Sequence, residues 1–320
     1  MTTPERVRIL DGGLGTSLED RYGVVFDDAT PLWSSHLIVS DPDTLLACQR
    51  DFVEAGADVL LTPTYQVSIE GFARTKVAPF PDGIPRFAIE RYLANAPGLE
   101  PGPLWACMLP SQEYSGKYDD DHDTEEALYR WHLERLRLFT NVQGLMDRIA
   151  YVAFETLPRL DEIRAVRRAY HDADMGKEFW ISCVFPGEAN LLPDGTPVDH
   201  AVKGMLEPLS GGSKPWGIGI NCTKLNKLPS LIKSYGESVR SMTSAPTLET
   251  APCLLLYPDG TKGEVYNTTT KKWEKQQAHT QAADHKDQGV FRSFIVGGCC
   301  KASAAEINEL RWEFPGSSRT

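Results

Sequence analysis

The stretch Phe294-Ile295-Val296-Gly297-Gly298-Cys299-Cys300 decides the fold. A short apolar run stops at a glycine pair, and two cysteines follow at once. Such a run is too brief for a helix and reads as a short buried strand. The same figure recurs along the chain. Arg8-Ile9-Leu10 leads into Asp11-Gly12-Gly13, Val59-Leu60-Leu61 into Thr62-Pro63-Thr64-Tyr65, and residues 104–108 into Leu109-Pro110-Ser111. Residues 149–154 lead into Glu155-Thr156, residues 179–184 into Phe185-Pro186-Gly187, residues 216–220 into Asn221-Cys222, and residues 253–256 into Tyr257-Pro258-Asp259-Gly260. With residues 294–296, these make eight candidate strands.

Helical patterns lie between them. Residues 43–55 have Asp43 as the expected N-cap and Gly56 as the stop. Residues 124–145 open with Thr124 and carry Leu128, Trp131, Leu136 and Phe139 near helical spacing. Residues 160–171 and 225–241 read similarly, and residues 304–312 close the chain. Strands alternating with helices imply a parallel sheet with right-handed crossovers. Eight such units in 320 residues predict a closed (β/α)₈ TIM barrel, one domain over residues 1–320. An open doubly wound sheet is the alternative. It asks for G-x-G-x-x-G after the first strand, and Gly12-Gly13-Leu14-Gly15 has the wrong spacing. Residues 259–287 are long and polar, and read as an elaborated loop over one end of the barrel.

Composition excludes some partners. A formal net charge of −11 argues against nucleic acid and against anionic membrane surfaces, which both need clustered Lys and Arg. No run approaches the roughly 20 apolar residues of a membrane span. The N-terminus lacks the apolar core of a secretory signal, so a cytoplasmic location is expected. The 7 cysteines are odd in number and scattered, which is no disulfide framework. Cys48, Cys107, Cys183 and Cys253 sit in apolar runs and read as small core residues.

In barrel enzymes the site forms at the C-terminal ends of the strands. The residues that follow the strands include Asp11, Thr62, Glu155, Asn221, Cys222, Cys299 and Cys300. Cys222 ends the sixth strand, and Cys299 and Cys300 end the eighth. On one rim these thiols can converge on a metal, and soft sulfur suits Zn²⁺. Three protein ligands leave one position open, as catalytic zinc requires. Spacing alone leaves a second reading open, in which the adjacent cysteines form a redox pair.

The chain resembles the homocysteine S-methyltransferase family. The matching residues are Asp11-Gly12-Gly13-Leu14-Gly15-Thr16, Pro31-Leu32-Trp33-Ser34, Ala55-Gly56-Ala57-Asp58 and Thr64-Tyr65-Gln66. Glu113-Tyr114-Ser115-Gly116 with Tyr118 and His132, Phe154-Glu155-Thr156, Gly219-Ile220-Asn221-Cys222, Tyr257-Pro258 and Gly297-Gly298-Cys299-Cys300 continue the match. The resemblance implies a TIM barrel whose Cys222, Cys299 and Cys300 hold zinc. It implies that Glu155 holds the substrate's ammonium, and that Asp11, Gly12, Trp33, Tyr65 and Asn221 bind substrate. The chain departs from the family's pattern at Lys301-Ala302-Ser303 and at Leu109-Pro110-Ser111.

The implied reaction is zinc-dependent methyl transfer from a sulfonium, S-methylmethionine or S-adenosylmethionine, to the homocysteine thiol, a step of methionine biosynthesis. Betaine is not expected as donor. The chain ends about 20 residues after Cys300, enough for one closing helix, and a monomer is expected. The competing readings are a methyltransferase for selenocysteine or another thiol, a zinc-dependent hydrolase and a thiol-redox protein.

Overall fold

The computed structural model describes residues 7–94, 105–107, 115–243, 248, 250–261, 264–267, 272–275 and 289–315. The side chain of Cys107, residues 109–111 and Tyr114 lie outside the described residues.

Seven strands form one parallel sheet: β1 (Val7–Ile9), β2 (Trp105–Cys107), β3 (Tyr151–Leu157), β4 (Glu178–Cys183), β5 (Gly217–Lys224), β6 (Cys253–Asp259) and β9 (Ser293–Val296). A separate antiparallel hairpin, β7 (Glu264–Asn267) with β8 (Lys272–Lys275), lies within the long polar stretch. The sheet order is β1-β9-β6-β5-β4-β3-β2. From β2 to β6 each strand lies beside the next in the chain, β9 follows β6, and the first strand lies beside the last, as in a barrel. The fold is the expected parallel α/β barrel.

Among the described residues, the second expected strand, Val59-Leu60-Leu61, takes the form of isolated bridge residues at Val59 and Leu61, with Val59 paired to Leu10 in parallel. The Asp58 and Val59 amides both donate to the Ile9 carbonyl, at 2.7 and 3.0 Å. The Leu61 amide donates to the Asp11 side chain, at 2.8 Å.

Strand alternation separates two apolar layers. Tyr151 and Ala153, Trp180, Cys253, Leu255 and Tyr257, and Ile295 pack inside the barrel. Val152 and Phe154, Phe179 and Ile181, Ile218 and Ile220, and Leu254 pack outward against the helices. This period carries Glu155 and Asn221 to the inside, at the C-terminal rim.

The helices follow their sequence signals with local corrections. The helix Pro42–Glu54 is capped by Asp41, not Asp43; its carboxylate accepts from the Thr44 amide at 3.1 Å. Pro42 occupies the first helical position, where its fixed φ suits a helix start. Thr124 caps Glu125–Thr140, which ends earlier than expected. Leu160–Ala173, Leu228–Thr243 and Ala304–Glu313 sit where they were read. Leu14–Tyr22 and Val198–Leu206 were not read from the sequence. Among the described residues, no helix is long and apolar enough to cross a membrane.

Gly12 and Gly13 lock the first strand end to the last. The Gly13 amide donates to the Ala302 carbonyl at 2.8 Å. A Cβ on Gly12 would collide with that carbonyl and stand 2.8 Å from the Phe52 ring. Gly12→Ala is therefore expected to destabilise the fold by about 1–3 kcal/mol, the usual cost of overpacking. Urea unfolding measures it, and an unchanged midpoint would show that the two strand ends can part freely.

Candidate active site

Period-2 alternation puts Asn221 inside the rim and would send Cys222 outward to the helices. The register of β5 shifts between Asn221 and Lys224, and Cys222 has φ +46°. This bulge re-aims the side chain at the rim, the usual use of such an irregularity. β3 does the same thing one strand beyond β4: its register shifts between Phe154 and Leu157, and Thr156 has φ +59°. The Asn221 side chain couples the two bulges. Its Oδ1 accepts from the Thr156 amide at 2.8 Å, and its Nδ2 donates to Thr156 Oγ1 at 2.7 Å. Nδ2 also lies 3.4 Å from Cys222 Sγ, and Thr156 Oγ1 lies 3.8 Å from it.

The loop after β9 supplies the other thiols. The Gly298 amide donates to the Asp11 carbonyl at 3.1 Å, the Cys299 amide to the Pro258 carbonyl at 2.8 Å, and the Gly260 amide to the Cys300 carbonyl at 2.8 Å. The ligand atoms of Cys222, Cys299, Cys300 and Asp259 then all lie within 4.8 Å of one another. Thiolates around a tetrahedral ion at about 2.3 Å stand about 3.8 Å apart, so the set fits a soft metal. Asp259 Oδ1 is buried without a hydrogen-bond partner, which a metal would supply. Burial pushes its carboxyl up to about 7, partly offset by Lys224. Cys222 and Cys299 are joined here as a disulfide. The vicinal Cys299–Cys300 pair expected of a redox reading is therefore not the one formed. Cys48, Cys183 and Cys253 are buried and free, as core residues.

Beside the cluster a cavity of about 240 Å³ is lined by Gly12, Trp33, Tyr65, Glu155, Cys222, Cys299 and Cys300, among others. Glu155 lines it, and Asp11 is buried nearby, outside the lining but within the field of Glu155. Asp11 is 1% exposed and Glu155 is 4% exposed, and Asp11 Oδ1 and Glu155 Oε1 have no hydrogen-bond partner. Burial drives the Asp11 carboxyl well above its ordinary value, with the Leu61 amide opposing and Glu155 adding charge repulsion. Burial pushes Glu155 up to about 8 against a hydrogen bond from Tyr257. An orphaned carboxylate oxygen in the cavity, with a second buried close by, calls for a cation. Trp33, with φ +48°, meets Tyr65 edge-on at 5.9 Å.

The structure thus gathers Gly12, Trp33, Tyr65, Glu155 and the three thiols around one space, with Asp11 buried nearby and outside its lining. It places Asn221 behind the thiol, 1% exposed, with its amide spent on Thr156. Tyr118 and His132 lie elsewhere: both hold Glu162, at 2.6 and 3.0 Å. Sequence reasoning missed Asp259 and Thr156. Both lie at strand ends, but the seventh strand was closed at Leu256 and Asp259 was left to the loop.

A barrel that brings three thiols and two orphaned carboxylates to one rim has the apparatus of a thiol-activating enzyme. The family model for homocysteine S-methyltransferase matches residues 8–314. The chain belongs to that family and is a methyltransferase. It is 29% identical to "Homocysteine S-methyltransferase YbgG" of Bacillus subtilis, over 94% of this chain and 92% of that one. It is 29% identical to "Homocysteine S-methyltransferase" of Escherichia coli, over 95% and 94%. It is 27% identical to "Betaine-homocysteine S-methyltransferase" of Drosophila melanogaster, over 89% and 87%. The crystal structure of the homocysteine methyltransferase MmuM from Escherichia coli, metallated form, shares the fold with a TM-score of 0.59 at 22% identity, covering 97% of each chain.

The buried Glu155 makes a prediction about stability. Its carboxyl moves from its ordinary 4.5 to about 8 on folding. The folded state therefore holds a proton that the unfolded state releases, and stability falls as pH rises between those values. Glu155→Gln removes that loss. Its melting temperature is expected to exceed the parent's at pH 8, with the gap closing towards pH 4.5. A variant less stable than the parent at pH 8 would contradict the assignment.

Proposed function

We propose that this protein transfers a methyl group from a sulfonium donor to the thiol of homocysteine, giving methionine, with zinc held by Cys222, Cys299 and Cys300. The observation that carries the reading is the four-donor cluster beside a cavity lined by the orphaned carboxylate of Glu155, with that of Asp11 buried nearby. The family membership and the relatives' names support the thiol substrate. The sulfur-rich donor set, with no histidine in it, favours zinc over the hard-metal sites of hydrolases.

A thiol near pKa 8.5 is mostly protonated at pH 7, and zinc would supply the deprotonation of the substrate thiol. The chain's own groups do the rest. Asp11 and Glu155 receive the α-ammonium, whose entry ionises them. Asp259, the hard oxygen in a soft set, would be the weakest holder of a bound zinc. Asn221 and Thr156 hold the Cys222 sulfur in place. Trp33 and Tyr65 wall the cavity against water and align the methyl group for attack. The donor's C–S electron pair leaves with its sulfur, which becomes neutral, so no strong general acid is needed.

A thiol-redox protein is the second reading, favoured by the Cys222–Cys299 disulfide. Metal analysis of the reduced protein separates the two. Cys222→Ala, Cys299→Ala and Cys300→Ala are each expected to lower zinc content and abolish methionine formation, whereas Cys183→Ala does neither. Full zinc and activity in any of the first three would remove that residue from the site. For the donor, S-methylmethionine, S-adenosylmethionine and betaine are supplied together at equal concentration with homocysteine. A sulfonium is expected to be consumed first, S-methylmethionine ahead of S-adenosylmethionine, and preferential use of betaine would sink the donor assignment.

A further inference from the structure

A second carboxylate besides Glu155 lines the cavity: Glu19 stands half-buried in its wall. Glu19 follows no strand and is outside the cysteine cluster. The cation that acts on it, Lys301, gives its ammonium to both carboxylate oxygens of Asp20, each at 2.8 Å. Among the described residues, the Glu19 carboxylate has no hydrogen bond or ion pair of its own. Burial raises its carboxyl, and the field of Lys301 only opposes this.

Its surroundings are aromatic. Glu19 stands four residues after Gly15 on the helix Leu14–Tyr22, so both occupy one face of that helix. Gly15 is where the Trp33 indole rests: a Cβ there would run into the ring, with Cε2 at 2.7 Å. The indole therefore lies along the face that Glu19 continues. Tyr65 backs the indole edge-on at 5.9 Å, and Phe26 packs against it at 5.6 Å. A fixed aromatic face beside an unpaired, partly desolvated carboxylate is the chemistry that holds an onium cation.

We propose that Glu19, with Trp33, forms a second cation subsite that takes the positively charged sulfur of the methyl donor. This rests on the sulfonium reading above and adds to it the residue that selects for charge. The two sites divide the work: Glu155 and Asp11 hold the acceptor's ammonium, and Glu19 holds the donor's sulfonium. In the transfer, the donor's S–CH₃ bond breaks with its electron pair kept by the leaving sulfur, and a thiolate electron pair forms the new bond to carbon. The donor's positive charge disappears as this happens. Attraction to Glu19 is therefore stronger before transfer than during it, and acts on donor binding rather than on the chemical step. A half-exposed carboxylate keeps that attraction modest.

The test uses the full-length, zinc-loaded protein and Glu19→Gln. KM and kcat are measured for S-methylmethionine and S-adenosylmethionine. Inhibition is measured with 2-amino-5-methylhexanoate and S-adenosylhomocysteine, which are neutral where the donors are cationic. The variant is expected to raise the KM of the donor used by about tenfold while leaving kcat equal or slightly higher. The inhibition constants of the neutral compounds, the KM for homocysteine and the zinc content stay unchanged, and Glu19→Asp recovers part of the loss. An unchanged donor KM overturns the proposal. So does a matching loss for the neutral compounds, which marks Glu19 as packing. If the unmodified protein forms no methionine from either sulfonium, the donor reading itself falls, and the subsite with it.

Discussion

The amide of Asn221, bonded to Thr156 across the end of β4, is the interaction on which the site depends. β4 stops at Cys183, level with Leu157 of β3, while β5 runs on to Lys224. The side chain spans the gap and ties two left-handed residues, Thr156 and Cys222, into one unit. Neither Thr nor Cys favours positive φ, and such residues cost of order 1–3 kcal/mol each unless their surroundings hold them. An amide with its oxygen and nitrogen both engaged in a buried site is such a holder. Without it, alternation would return Cys222 to the helix side, where Ile218 and Ile220 pack. The thiol is at the rim because a polar group inside the barrel keeps the strand irregular.

The same logic operates on the other side of the rim through main-chain bonds. The strand ends of β1, β6 and β9 bond to one another through Gly298, Cys299 and Gly260, and Gly13 closes onto Ala302. Lys301, also left-handed, donates its amide to Thr16 Oγ1 at 2.8 Å and its ammonium to Asp20. The departure from the family's pattern after the cysteine pair thus has a structural role. It fastens the metal loop to the helix that carries Gly15 and Glu19.

Much of this was legible in the sequence, because buried parallel strands are short apolar runs that end where polar residues begin. That rule found Asp11, Glu155, Cys222, Cys299 and Cys300 without any knowledge of their neighbours. It failed where a distant group decided the outcome. At Val59-Leu60-Leu61 only bridge residues form, and the Leu61 amide is held by the Asp11 side chain, 50 residues away. Asn221 was read as binding substrate; only the positions of Thr156 and Cys222 show that its amide is engaged with them. Glu19 was invisible because it lies on a short helix interrupted by glycines, and its meaning comes from where Trp33 rests.

Proton uptake explains why such a site tolerates two carboxylates that its own fold does not satisfy. Burial raises the proton affinity of both Asp11 and Glu155, and the charge of Glu155 raises that of Asp11 further. Without a ligand cation they lower their charge by taking protons, which limits the cost of holding them dry. An entering cation would reverse this: it would supply the missing charge and donors, and the protons would leave. Cation binding and proton release would then be one event, which a neutral ligand of the same shape could not bring about. Adding protein donors for those oxygens would stabilise the fold and remove this preference for a cation.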